Sequence, residues 1–253
     1  MITDTHAHLW WSDFDADREA VFERAQAAGV SRMIVVGTDV ASSKAAFELA
    51  RGRDWVHPTA GMHPHDASEL DTAARATLRE LCQRRECVAV GESGLDWFKQ
   101  HSPRDVQLQA LHWHASLACE LDKPLVIHCR DAHESLVAAL GAHPKLRAVM
   151  HCWSMGAAEL DPYLERGFYI SFSGIVTYPR NEANRAAACA VPADRLLVET
   201  DCPFLAPQGL RGQRNEPAHV RETLACIARA RGAGFEQLAL QTSANARVLF
   251  GLE

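Results

Sequence analysis

Two runs, Leu125-Val126-Ile127-His128-Cys129-Arg130 and Ala148-Val149-Met150-His151-Cys152-Trp153, decide the reading of this chain. Each is a short, continuous apolar segment that ends on a histidine. Continuous apolar character, without alternation, suits strands buried on both faces of a parallel sheet. Similar runs lie on either side. The first leads into Thr3-Asp4-Thr5-His6, and the next are Met33 to Val36, Val56 to Ala60 and Val88 to Val90. Beyond them come Phe168 to Phe172 and Leu196 to Val198, giving eight expected strands.

Amphipathic stretches separate these runs. Helices are expected over Phe14 to Ala28, before Gly29; over Gln107 to Leu121, with Pro103 near its start; and over Glu236 to Phe250, stopping at Gly251. Eight strands alternating with helices over 253 residues predict an α/β fold, a (β/α)8 TIM barrel in a single domain spanning 1–253. A doubly wound open sheet also alternates, but no glycine-rich dinucleotide loop follows the first strand. The long stretch Pro203 to Pro217 reads as an irregular, functional loop.

Composition sets the outer bounds. The net charge of −6 argues against a broad basic nucleic-acid face, although bound divalent cations can supply positive charge locally. None of the eight cysteines forms a C-x-x-C pair, so they read as small buried thiols of a reducing compartment. The amino-terminal residues do not read as a signal peptide, and no run is apolar enough to span a membrane. A cytoplasmic location is expected by default.

The chemistry falls at the strand ends. Residues two apart on a strand share a face, so His6 and His8 can hold one metal ion. His112 and His114 have the same spacing within a helical pattern, where such residues do not face each other, and are read as surface or core. Glu92 follows an apolar run directly; a carboxylate buried there must be paired or metal-bound. His128 and His151 occupy equivalent positions on successive strands. Asp201 follows the last strand as a ligand, a general base, or both. Imidazole and carboxylate donors together suit Zn, Mn or Fe better than Ca. Six such side chains exceed what one catalytic metal takes, so two metals bridged by Glu92 explain the count better.

Seven ordered motifs carry a resemblance over the whole chain. They are Asp4-Thr5-His6-Ala7-His8, Gly61-Met62-His63-Pro64-His65, Gly91-Glu92-Ser93-Gly94-Leu95-Asp96, Ile127-His128-Cys129-Arg130, His151-Cys152-Trp153-Ser154, Glu199-Thr200-Asp201 and Arg214-Asn215-Glu216-Pro217. With these the chain resembles the TatD-family metal-dependent hydrolases of the amidohydrolase-like barrel superfamily. The resemblance implies a two-metal site, with divalent Zn, Mn or Mg. His6, His8 and Asp201 would bind one ion, Glu92 would bridge, and His128 and His151 would bind the second. Trp153 and Met155 depart from the family's usual Phe and Gly, and Ser93 from its Ile or Thr; none of these is a ligand.

The activity implied is that of a DNA phosphodiesterase, a 3′-5′ exonuclease-type deoxyribonuclease acting on single-stranded DNA ends, with no membrane and no obligate protein partner. Asp201 and Glu92 are the expected catalytic residues. His63 and Arg130 are expected to hold phosphate oxygens, arginine through its forked donors. Trp10, Trp11, Trp97 and Trp153 lie near ligands, where an aromatic face can stack on a base, and Arg211 and Arg214 offer a small basic patch. A metal-dependent hydrolase of a carbonyl substrate, such as D-aminoacyl-tRNA, is the alternative, because the same ligand set serves attack on a carbonyl. A non-catalytic binding barrel is the third reading.

Overall fold

The structure is a computed structural model that describes residues 1–252. Eight strands form one sheet, each parallel to its neighbour and ordered as in the chain. They are β1 (Ile2–Ala7), β2 (Val30–Val35), β3 (Val56–Ala60), β4 (Ala89–Asp96), β5 (Leu125–Arg130), β6 (Ala148–Met150), β7 (Tyr169–Phe172) and β8 (Leu196–Val198). Helices α1 (Arg18–Ala27), α2 (Val40–Ala50), α3 (Thr72–Gln83), α4 (Arg104–Glu120), α5 (His133–Leu140), α6 (Asp161–Leu164), α7 (Glu182–Ala190) and α8 (Val220–Arg231) follow the strands in turn, and α9 (Phe235–Phe250) ends the chain. This is the expected (β/α)8 barrel.

Closure between β8 and β1 rests on few contacts, and these include the residues of interest. A parallel bridge joins Ala7 to Cys202. The Asp201 amide donates to the His6 carbonyl at 2.9 Å. Asp4 accepts from the Thr200 amide at 2.9 Å and the Thr200 hydroxyl at 2.6 Å, and burial pushes its carboxyl up to about 7.

Alternation along the strands divides the core. Ile34, Val126, Val149 and Leu197 form one cluster with Ala246, Leu249 and Phe250 of α9, while their strand neighbours Met33, Ile127, Met150 and Val198 belong to the larger cluster. The carboxyl-terminal helix thus seals one end of the barrel, and the polar strand ends gather at the other.

Most of the expected element boundaries hold to within a few residues. β4 is the exception, for it runs through Glu92 to Asp96, where Gly94 pairs with His128 and Asp96 with Arg130. Helix α1 starts at Arg18 rather than Phe14, because residues 12–14 form a short 3-10 turn. Cys82, Cys87 and Cys202 are buried as expected. Cys119 and Cys189 lie exposed on α4 and α7, which corrects the expectation of uniformly buried thiols. No helix among the described residues is long and apolar enough to cross a membrane.

Candidate metal centre

At the carboxyl ends of the strands, Glu92 is 2 % exposed and ringed by histidines. Its position depends on Gly91, whose φ of 117° is unfavourable for any side chain. A Cβ there would lie 2.7 Å from the Val126 carbonyl oxygen. The two carboxylate oxygens face different partners. Oε2 lies 3.3 Å from His6 Nε2 and 3.8 Å from His8 Nε2. Oε1 lies 2.8 Å from His151 Nε2, 3.2 Å from His128 Nδ1 and 3.5 Å from His63 Nε2. Asp201 Oδ1 sits with the first group, 3.3 Å from His8 Nε2 and 3.7 Å from His6 Nε2. Asp201 has a left-handed backbone, with φ of 58°, held by the hydrogen bond that its N–H donates to the His6 carbonyl.

Hydrogen bonds on the far side of each ring assign the protons, because a neutral imidazole has one N–H and one lone pair. His8 Nδ1 donates to the Val36 carbonyl at 3.0 Å. His128 Nε2 donates to Asp96 Oδ2 at 3.3 Å, and His151 Nδ1 to Glu199 Oε1 at 3.2 Å. In the neutral, ligating form of these three rings the inner nitrogens therefore present lone pairs to carboxylate oxygens. Acceptor facing acceptor is stable only with a cation or proton between them, so the donor set fits divalent metal. His6 agrees, since its Nε2 lies 3.0 Å from His8 Nε2, the two directed at the same carboxylates.

His63 differs. Its Nδ1 accepts the His65 amide at 3.1 Å, so Nε2 carries the proton and points a donor at the centre. Burial is the main reason its imidazole is held well below its ordinary pKa, which keeps it neutral. His128 and His151 are raised despite burial, by Asp96 and Glu92 in one case and by Glu92 and Glu199 in the other. Burial also opposes ionisation of Glu92, but the surrounding histidines, His151 foremost, outweigh it and hold the carboxyl well below the usual carboxylate range.

Two carboxylates were not assigned a part by the sequence. Asp96 and Glu199 hold the outer nitrogens of His128 and His151, and such partners fix ring orientation and tautomer in metal sites. Their signal was visible, as acidic residues beside candidate ligands at strand ends.

The expected ligands His6, His8, Glu92, His128, His151 and Asp201 thus converge. His63 joins them, and Arg130 lies at the rim of the same cleft of about 760 Å³. The Arg130 guanidinium stacks 3.9 Å over Phe98. Trp153 does not reach the cleft; it is 1 % exposed and packs on Tyr163. Arg214 is spent on Asp17, at 2.7 and 2.9 Å, and lies over Phe14, so it does not form the expected free basic patch with Arg211. His114 is buried in α4 and His112 pairs with His143, in keeping with their reading as non-ligands.

Comparison with known proteins agrees with this geometry. The family model described as TatD related DNase matches residues 3–251. An uncharacterized metal-dependent hydrolase, YabD of Bacillus subtilis, is 39% identical over 253 residues, covering 99% of both chains. The 3′-5′ ssDNA/RNA exonuclease TatD of Erwinia amylovora is 40% identical over 257 residues, covering 98% of this chain and 99% of that one. The crystal structure of YjjV, a TatD homolog from Escherichia coli, superimposes with a TM-score of 0.93 at 29% identity, covering 100% of this chain and 98% of that one. With the barrel, the ring of histidines around Glu92 and a match along nearly its full length, this chain belongs to the TatD related DNase family of metal-dependent hydrolases.

Proposed function

We propose that this protein is a phosphodiesterase that removes nucleotides from the 3′ end of single-stranded DNA or RNA with the help of two divalent cations. The observation that carries the reading is the division of Glu92, with Oε2 facing His6 and His8 and Oε1 facing His128 and His151. His6, His8 and Asp201 would hold one cation and His128 and His151 the other, with Glu92 shared. The substrate class comes from relatives named 3′-5′ ssDNA/RNA exonuclease. When bound, divalent cations supply Lewis acidity, which acidifies water and offsets charge on a phosphate.

The rest is work for side chains. Asp201 uses Oδ1 toward His8 and His6, which leaves Oδ2 to accept the proton of the attacking water. Burial opposes its ionisation, but the His8 hydrogen bond and the nearby His6 and His151 outweigh it and keep the carboxyl below its ordinary pKa. It is therefore an ionised acceptor at neutral pH. His63 donates from Nε2 to a nonbridging phosphate oxygen, a neutral donor fixed in place by the His65 amide. Arg130, braced on Phe98, offers a forked donor to a phosphate at the rim.

Release of mononucleotides from single-stranded DNA should stop on chelation and return with Mg²⁺ or Mn²⁺. Asp201→Asn should lower kcat roughly 10²–10⁴-fold, the usual worth of a positioned general base. Wild-type turnover by that variant overturns the role of Asp201. An enzyme inert on DNA and RNA that cleaves an aminoacyl ester overturns the phosphodiesterase assignment.

A further inference from the structure

Two large aromatic side chains stand exposed at the mouth of the cleft. Trp11 is 38% exposed and Phe204 46%. Single surface aromatics need no explanation, but a connected group at a cleft does. Trp11 stacks on Trp10 with centroids 5.1 Å apart and meets Phe204 edge-on at 5.6 Å. Phe204 in turn lies 6.4 Å from the His8 ring. All three line the cleft that contains Glu92 and Asp201.

The platform is keyed to the metal-binding side chains. Trp10 Nε1 donates to the Val36 carbonyl at 2.7 Å, and His8 Nδ1 uses the same carbonyl at 3.0 Å. Trp10 and Trp11 follow β1 and Phe204 follows β8, so the aromatic wall straddles the seam where the barrel closes. Lys99 follows β4 and Arg130 ends β5, half the barrel away, and both line the same cleft. One wall is thus aromatic and the opposite wall cationic, with the candidate metal centre between them.

We infer that Trp11 and Phe204, backed by Trp10, form a stacking subsite for the base of the nucleotide being released, while the remaining strand leaves across Lys99 and Arg130. This rests on the phosphodiesterase reading. Aromatic faces suit the task because every base has a π-face, so the subsite holds a terminal nucleotide with little regard to sequence. The cationic wall suits a backbone that carries a phosphate at each step. A cleft of about 760 Å³ is within the range of small-ligand sites and has room for one nucleotide.

The test compares an oligonucleotide with a natural 3′ end and one whose terminal residue is abasic. With the wild-type enzyme the abasic end should raise KM roughly tenfold, the loss expected for one stacked base. In Trp11→Ala and Phe204→Ala that ratio should collapse toward one, while Trp11→Phe and Phe204→Tyr should keep it. Independently, deoxyadenosine monophosphate should quench tryptophan fluorescence of the wild-type protein to saturation and bind Trp11→Ala and Phe204→Ala roughly tenfold more weakly. Thermal unfolding of each variant shows that it is folded. An active wild type that treats natural and abasic ends alike overturns the subsite, as do variants that bind the nucleotide as the wild type does. A wild type that cleaves neither DNA nor RNA, yet binds the nucleotide in the Trp11-dependent manner, overturns the phosphodiesterase reading and leaves the nucleotide subsite standing.

Discussion

His114 shows how one residue type takes opposite parts in this molecule. Its Nδ1 donates to the Ala110 carbonyl at 2.7 Å and its Nε2 accepts the Met62 amide at 3.0 Å. Both nitrogens are used only by the neutral ring, and burial pushes its pKa down to about 4, from an ordinary 6.5. The stability this contributes is complete above about pH 6.5. It is lost as pH falls toward 4, because the unfolded chain takes up a proton that the folded one refuses. Full loss amounts to roughly 3 kcal/mol. Between about pH 7 and pH 4.5, His114→Gln should therefore lose about 2 kcal/mol less unfolding free energy than the wild type, as measured by denaturant titration. Identical pH dependence in the two proteins refutes the assignment. The distinction between His114 and His8 was legible from secondary structure, since the i, i+2 spacing means one thing on a strand and another on a helix. The distinction between His63 and His128 was not. Each follows an apolar run, and only the His65 amide and the Asp96 carboxylate, both brought in by folding, tell which nitrogen faces the centre.

Among elements, the strands were easiest to read where they were apolar throughout. β6 and β8 begin and end where their apolar runs do, and β3 keeps its expected bounds although His57 and Thr59 interrupt it. The second half of β4 was hidden because Glu92 to Asp96 has the composition of a loop. It is a strand because β5 pairs with it and because its carboxylates find partners far away in sequence: the ring of histidines for Glu92, and His65 and His128 for Asp96. The segment from Pro203 to Pro217 is irregular as expected, apart from a short 3-10 turn at Gln208–Leu210 and another that starts at Pro217, but Arg214 serves to anchor it. Arg214 grips Asp17 at the start of α1, and Arg24 of α1 bonds both Asp17 and Glu216. This network fastens the loop after β8 to the first helix. Arg214→Ala should lower unfolding free energy by about 1 kcal/mol, the scale of a partly exposed ion pair. It should leave unchanged the salt dependence of oligonucleotide binding, which Arg130→Ala or Lys99→Ala should reduce by about one counterion each. A reduced salt slope in Arg214→Ala returns that residue to the nucleic-acid interface.

At the scale of the molecule, the order of the strands decides what the candidate centre is made of. Parallel strands in chain order bring the ends of β1, β4, β5, β6 and β8 to one rim, so polar residues scattered from position 6 to position 201 become neighbours. Alternation of strands and helices was enough to predict that rim. The count of candidate ligands had already made Glu92 the bridge, but which carboxylate oxygen faces which histidines depends on barrel curvature and rotamers and was not legible. The same arrangement makes the centre a structural liability, since buried lone pairs and carboxylates face one another and β1 and β8 hold each other by few contacts. Cations that bind there bind the folded chain far better than the unfolded one, and so add to stability. At a free concentration 1,000 times the dissociation constant, one site contributes about 4 kcal/mol. For a chain of this length that corresponds to a Tm roughly 10 °C higher with Mn²⁺ or Zn²⁺ than after exhaustive chelation, read by calorimetry. Glu92→Gln removes the charge of the carboxylate proposed to be shared and should abolish most of the difference while leaving a folded barrel. If the wild type unfolds at one temperature whether or not elemental analysis finds metal in it, then the converging histidines do not hold a cation, and their buried protons must supply the positive charge that Glu92 and Asp201 demand.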